Sequence, residues 1–322
     1  MQKSLLVWNF IFNSLREAVP VMLLYVLESK GSSPGRQGFF MTVNAKGEMA
    51  GSIGGGIMEH KFVELAREKL RAGSQESGVR KQIHDKATEG NQSGMICSGE
   101  QTILLYPVQS KDAKHIENII SSLLQNKNGT LILSPEDFQF ISNIPATDFE
   151  YHFQSEDNWL FKEKTGYKNH LYIIGGGHCA LALSKLMRGM DFYIILYEER
   201  EGLNTVTQNE FAHEVIIVDD YTALGYHISS GPNQYVVIMT FGYRTDDIAL
   251  RSLLDKTFSY MGVLGSKKKM EKLFADFRKD GIGESVLQRI HTPVGLAIKS
   301  ETPEEIAVSI AAEIITVKNQ VC

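Results

Sequence analysis

His170-Leu-Tyr-Ile-Ile-Gly-Gly-Gly-His-Cys-Ala180 is the stretch on which the fold turns. Leu171, Tyr172, Ile173 and Ile174 make a short apolar run suited to a buried strand, and Gly175, Gly176 and Gly177 make a turn that side chains would obstruct. Residues 179–187 then read as the opening of a helix. Strand, glycine turn and helix in that order build a cradle for phosphate: N–H groups at the helix start point at an anion, and the helix dipole favours negative charge there. Gly175, Gly177 and Ala180 fill the three places of G-x-G-x-x-G/A. The spacing alone does not separate a nucleotide site from a tight turn.

Downstream, residues 192–197 are a second apolar run, ending in Glu198 and Glu199. That is about twenty residues beyond the turn, where a carboxylate accepts hydrogen bonds from a ribose diol. Arg200 follows and is instead suited to a phosphate. Further apolar runs at 214–218, 234–240 and 260–264, with helical patterns between them, predict an α/β fold: a Rossmann-like, doubly wound parallel sheet covered on both faces. Ligands of such sheets sit beyond the carboxyl ends of the strands, here Gly175, Gly176, Gly177, Glu198, residues 240–244 and residues 265–267. Gly265, Ser266 and Lys267 open another helix, so they offer either an anion site or a solvated basic first turn. Thr302, Pro303 and Glu305 have the pattern of a capped start for a last helix, on which Glu313 is expected to lie at an edge.

Upstream, helices are expected at 4–18, 57–71 and 113–125, with strands at 21–27, 39–43, 48–53, 101–107 and 130–133. Residues 134–166 show no sustained period beyond a hairpin at 151–153 and 159–162. This places a boundary near 168, between an N-terminal α/β domain with a mixed sheet (1–167) and the C-terminal Rossmann-like domain (168–322). A second glycine run, Gly54, Gly55 and Gly56, stands at a helix start. Ser52, Ser32, Ser33 and Arg36 are the residues that would converge with it on an anion; the alternative is a turn that packs a helix on a sheet. Cys97, flanked by small residues on a loop, is either a reactive thiol or an ordinary small apolar residue.

A chain of 322 residues exceeds the usual size of a single core, in keeping with two domains. Its net charge of -5 argues against nucleic acid as the main partner. The three cysteines, Cys97, Cys179 and Cys322, contain no C-x-x-C pair, so no metal site is expected, and free thiols suit the cytoplasm. No apolar run is long enough for a membrane span, and the first sixteen residues read as an amphipathic helix rather than a signal peptide.

Together these motifs resemble the XdhC/CoxI family, accessory proteins of xanthine dehydrogenase and related molybdenum hydroxylases. The resemblance lies in Gly31-Ser-Ser-Pro-Gly-Arg36, Gly51-Ser-Ile-Gly-Gly-Gly56 with Glu59, residues 94–100 around Cys97, the turn Gly175 to Gly177, Gly262-Val-Leu-Gly-Ser-Lys267, Pro293-Val-Gly-Leu296 and Thr302-Pro-Glu-Glu-Ile-Ala307. The segment Thr240-Phe-Gly-Tyr-Arg-Thr-Asp246 departs from the family in having no histidine. The resemblance implies a protein that binds the molybdenum cofactor (molybdopterin), assists its sulfuration and delivers it to a xanthine dehydrogenase-type hydroxylase, with a cysteine desulfurase as a further partner and a homodimer as one assembly. It implies that Cys97 contacts the cofactor or relays sulfur. Two rivals stay open: an NAD(P)-dependent oxidoreductase, for which His178, His213, His227 and His291 show no evident catalytic partner, and a nucleotide-sensing Rossmann protein.

Overall fold

The computed structural model describes residues 3–83 and 99–320, so Cys97 lies outside the described residues. They divide into two compact units, Met1–Gly166 and Tyr167–Cys322.

In the first unit, strands β1 (Val21–Gly31), β2 (Phe40–Asn44), β3 (Met49–Gly51), β4 (Gly78–Ile83) and β5 (Gly99–Val108) form one sheet in the order β3-β2-β1-β5-β4. A second sheet, ordered β7-β6-β9-β8, comprises β6 (Gly129–Leu133), β7 (Phe138–Ile141), β8 (Phe149–Ser155) and β9 (Asn158–Thr165). Every pairing in both is antiparallel, where a mixed sheet was expected. Short links such as that from β2 to β3 return the chain at once, whereas parallel pairing needs a long crossover. The run at the start of β1 is apolar on both faces because both are covered. Val21, Leu23, Tyr25 and Leu27 join one core with helices α1 (Lys3–Arg16) and α3 (Ala113–Leu124) and the second sheet; Met22, Leu24 and Val26 join another beneath α2 (Gly56–Arg71).

Residues 134–166, read as mostly irregular, supply three of the four strands of the second sheet. Strand β9 has a period of two, with Trp159, Phe161, Glu163 and Thr165 all buried, but two of the four are polar and the apolar alternation is lost. The Tyr25 hydroxyl donates to Glu163, which makes that burial tolerable.

The second unit is a six-stranded parallel sheet of β10 (Asn169–Ile174), β11 (Phe192–Glu198), β12 (Glu214–Ile217), β13 (Gly231–Ile238), β14 (Phe258–Val263) and β15 (Ile290–His291), in the order β12-β11-β10-β13-β14-β15. Renumbered from its first strand this is 3-2-1-4-5-6, the dinucleotide-binding order. Of the helices between and after the strands, α4 (His178–Arg188), α5 (Asn204–Thr207) and α6 (Leu224–His227) precede α7 (Tyr243–Arg251), α8 (Lys267–Lys279), α9 (Glu284–Leu287) and α10 (Pro303–Gln320). Helices α4 and α10 share a core with Leu171 and Ile173 on one face, while α7 and α8 share one with Ile174 and Val236 on the other. The doubly wound arrangement follows from strands whose two faces are both apolar. The order in which strands are added to the sheet reverses between β10 and β13, so the crevice at their carboxyl ends is where a ligand belongs.

Candidate functional site

The glycine turn after β10 uses each glycine differently. Gly175 has φ 102°, and a Cβ there would stand 2.5 Å from the Met239 carbonyl oxygen. A Cβ at Gly176 would meet Val206 at 2.3 Å. At Gly177 it would meet nothing, because this residue faces a cleft. Ala180 is fully buried and lets α4 lie close to the sheet. These are the demands of a phosphate turn: a tight bend, an open approach to the backbone and close helix packing. No side chain caps the start of α4, so its first-turn N–H groups point into the cleft unclaimed by a cap.

The cleft has a volume of about 750 Å³ and is lined by Gly177, His178, Arg200, the loop from Gly202 to Thr205, Gln208 and residues 239–241. It thus lies across the carboxyl ends of β10, β11 and β13. Phe241 falls in the segment 240–244 expected beyond the strand ends, whereas Leu203, Asn204, Thr205 and Gln208 did not stand out in the sequence; no local pattern marks these four, and only the strand order brings them here. The Thr205 hydroxyl donates to the Gly176 carbonyl and ties this loop to the glycine turn.

Glu198, expected at a ribose, is engaged within the protein. It is 0% exposed. Its Oε2 accepts from Gly176 N–H at 2.6 Å and from Arg200 Nη2 at 2.9 Å. Its Oε1 accepts from the N–H groups of Glu199 and Arg200 at 3.0 and 3.1 Å and from Arg200 Nε at 2.8 Å. Burial raises the Glu198 carboxyl, but the bonds from Arg200 and from the Gly176 and Arg200 backbone outweigh it and hold the group below the usual carboxylate range. Arg200, rather than Glu198, lines the cleft.

Just beyond the end of β13, Asp246 is buried in the first turn of α7. Its Oδ1 accepts from the Thr240 N–H at 3.1 Å and hydroxyl at 2.5 Å, and its Oδ2 pairs with Lys269. One of the lysines that make the start of α8 basic is therefore held by an internal acid. Ser266 caps α8 by accepting from Lys269 N–H, and Ser266 and Lys267 are exposed beside Gly265.

Two histidines have partners that the sequence did not reveal. His213 accepts at Nδ1 from the Ile194 N–H (2.9 Å), so its Nε2 carries the proton toward the Tyr167 hydroxyl (2.6 Å). Burial, then nearby Arg188, pushes its pKa down to about 4, as suits a structural neutral imidazole. Glu313, expected at a helix edge, instead accepts from Tyr260 Oη (2.5 Å) and Gly295 N–H (2.8 Å) and lies 3.4 Å from His291 Nδ1. It ties α10 to β14 and to the loop after β15. The Cys179 thiol at the start of α4 is half-buried; burial and then Glu304 push its pKa up, which suppresses thiolate chemistry.

In the first unit the loop carrying Ser32, Ser33 and Arg36 does meet the turn from Ser52 to Gly56. A Cβ on Gly35 would lie 2.0 Å from the Ile53 carbonyl oxygen, and one on Gly54 would lie 2.4 Å from Gly35 N. Buried Gln101 spans both segments, donating to the Gly35 carbonyl at 2.9 Å. Gly99, at the start of β5, abuts Ser32 and Ser33. Within the turn one anion is already present: Glu59 Oε2 accepts from the Ser52 hydroxyl (2.7 Å), Ile53 N–H (2.9 Å) and Gly55 N–H (3.0 Å). Ser33 donates to the Gly35 carbonyl, and Arg36 uses Nη1 on the Gly31 carbonyl. The first turn of α2, preceded by Gly55 at φ 76°, has no side-chain cap on its N–H groups.

Among the described residues no cluster of three or more His, Cys, Asp or Glu side chains has a metal-holding arrangement, and no helix is long and apolar enough to cross a membrane.

Comparison with known proteins agrees with this architecture. Residues 14–81 match the XdhC and CoxI family, and residues 171–314 match the XdhC Rossmann domain. An uncharacterized protein of Escherichia coli, YqeB, is 27% identical over 93% of this chain, which spans only 44% of that relative's length. A Bacillus subtilis protein described as a probable subunit of xanthine dehydrogenase is 23% identical over 95% of this chain and 96% of its own. A crystal structure of a xanthine dehydrogenase from Bacillus halodurans superposes with a TM-score of 0.70 at 24% identity, covering 97% of this chain and 96% of that one, and so shares its fold. With both family domains present in order, on the same antiparallel and Rossmann-like units that the glycine turns organise, the chain belongs to the XdhC/CoxI family.

Proposed function

We propose that this chain is an accessory factor of a xanthine dehydrogenase-type molybdenum hydroxylase, working in the cytoplasm to bind the molybdenum cofactor, assist its sulfuration and pass it to the hydroxylase. The observation that carries this reading is the presence of both XdhC domains in one chain, alongside a full-length relative named for xanthine dehydrogenase.

The residues of the first unit fit a pterin phosphate at one place and not at another. Inside the turn from Ser52 to Gly56 the donors are taken by Glu59, so a phosphate does not enter there while that carboxylate stays. The uncapped first turn of α2, the exposed Ser32 and the remaining guanidinium N–H groups of Arg36 are the donors that would hold it. The cofactor, when bound, supplies the metal centre; this chain supplies anion donors, and Cys97 supplies a thiol for contact with the cofactor or for sulfur relay from a cysteine desulfurase.

The cleft of the second unit takes a nucleotide, NAD(P) being the natural candidate. Its role here is occupancy and sensing rather than hydride transfer. Among the described residues lining it, His178 is the one imidazole, and it is exposed, with no carboxylate lining the cleft to orient it as an acid or base.

Purifying the protein with molybdopterin and comparing Cys97→Ser and Arg36→Ala tests the account. Loss of pterin retention in Arg36→Ala and loss of sulfuration in Cys97→Ser are expected. Unchanged retention together with unchanged activation of the hydroxylase removes both residues from the mechanism.

A further inference from the structure

We propose that the cleft of the second unit selects a 2′-phosphorylated adenine dinucleotide, of the NADP type, over the unphosphorylated NAD type, with Arg200 as the ligand of the 2′-phosphate. The inference rests on the nucleotide reading given above and names the ligand class of that site.

In sheets of this strand order the pyrophosphate lies at the glycine turn and the adenosine ribose reaches the end of the second strand, where an acid normally accepts from the ribose diol. Here that acid is Glu198, and it has no acceptor capacity to spare. Its two oxygens offer about four lone-pair sites and already receive five N–H groups. A diol arriving at this point finds no acceptor. It finds Arg200 instead.

The guanidinium is set up for a phosphate. Nε and Nη2 are locked on Glu198, and the rest of the fork remains, with the side chain 37% exposed and lining the cleft. A planar fork held by a buried carboxylate loses little freedom on meeting a second anion, and its remaining N–H groups suit phosphate geometry. Glu199 and Glu201 flank Arg200 in sequence, but neither lines the cleft. Phe241, 83% exposed, lies with its ring centroid 5.4 Å from the guanidinium carbon. A large exposed aromatic face on the cleft wall beside an arginine is a stacking surface for adenine. The two features stand on different strand ends, β11 and β13, and meet only at the switch point.

Titration calorimetry of the full chain with NADP⁺ and NAD⁺ tests the proposal. NADP⁺ is expected to bind at least about tenfold tighter, a difference of about 1.4 kcal/mol. Arg200→Gln is expected to abolish the preference by weakening NADP⁺ and freeing Glu198 for the diol, so that NAD⁺ binding is kept or improved. Arg200→Lys, which keeps the charge but not the fork, is expected to retain part of the preference. Equal binding of the two dinucleotides to the native chain, or tighter NAD⁺, overturns the proposal while leaving the nucleotide site standing. No binding of either at millimolar concentration overturns both.

Discussion

Replacing Glu198 with glutamine is the sharpest test of how the nucleotide cleft is held together. The change keeps the shape of the side chain and removes its charge. Whichever way the amide turns, its NH₂ group faces at least two donors: the Gly176 N–H and Arg200 Nη2 on one side, or the Glu199 and Arg200 N–H groups and Arg200 Nε on the other. Breaking a buried pair from one side costs about 3–5 kcal/mol. Arg200 is partly exposed and recovers some hydration, which brings the expected loss to about 2–4 kcal/mol. In a unit of this size each kcal/mol moves the melting temperature by about 2–4 °C. Urea unfolding followed by circular dichroism reads the loss directly, and the slope with denaturant should be unchanged. A loss below about 0.5 kcal/mol, the level of an ordinary surface substitution, would refute the claim that this carboxylate fixes the glycine turn.

Further outcomes follow from the same geometry. Gly175→Ala places a Cβ at positive φ and against the Met239 carbonyl, and should cost at least about 2 kcal/mol in thermal or urea unfolding. Gly177→Ala has an ordinary φ of -71° and open space around its new methyl, so stability should hold while dinucleotide affinity drops about tenfold in calorimetry. His213 has a folded pKa of about 4, below the ordinary value near 6.5. Below the unfolded value the unfolded chain takes the proton first, so stability present above about pH 6.5 is lost as pH falls toward 4. His213→Asn, whose amide oxygen can still accept from the Ile194 N–H, should flatten that slope in pH-dependent melting. Tyr260→Phe leaves Glu313 short of a buried donor and should lower stability by about 1–3 kcal/mol, read by urea unfolding.

Local patterns made much of the fold legible. The apolar runs of β10, β11 and β13 and the three glycines after β10 are contiguous in sequence, and each carries its meaning within a few residues. The hairpin expected at 151–153 and 159–162 is the pairing of β8 with β9, but the full length of β9 was harder to read because its buried face admits Glu163 and Thr165, and the burial of Glu163 depends on a partner far away, Tyr25. At the candidate sites the same division holds. Glu198 was readable as the acid at the end of β11, and its saturation by Arg200 was foreshadowed by the two-residue spacing. Glu59 follows Gly55 by four residues, a separation at which a side chain can reach back to a helix start, so its occupation of the turn also had a local signal. The bonds of Glu313 to Tyr260 and of Asp246 to Lys269 had none, since they join residues that only the sheet order brings together.

Activity of a xanthine dehydrogenase-type hydroxylase produced with and without this chain, together with the sulfurated cofactor content of the purified hydroxylase, tests the proposed maturation role most directly. Omission of the chain is expected to leave the hydroxylase folded but inactive and poor in sulfurated cofactor, and adding the native chain, but not Cys97→Ser, is expected to restore both. A hydroxylase that is fully active and fully sulfurated in the absence of the chain would contradict that role.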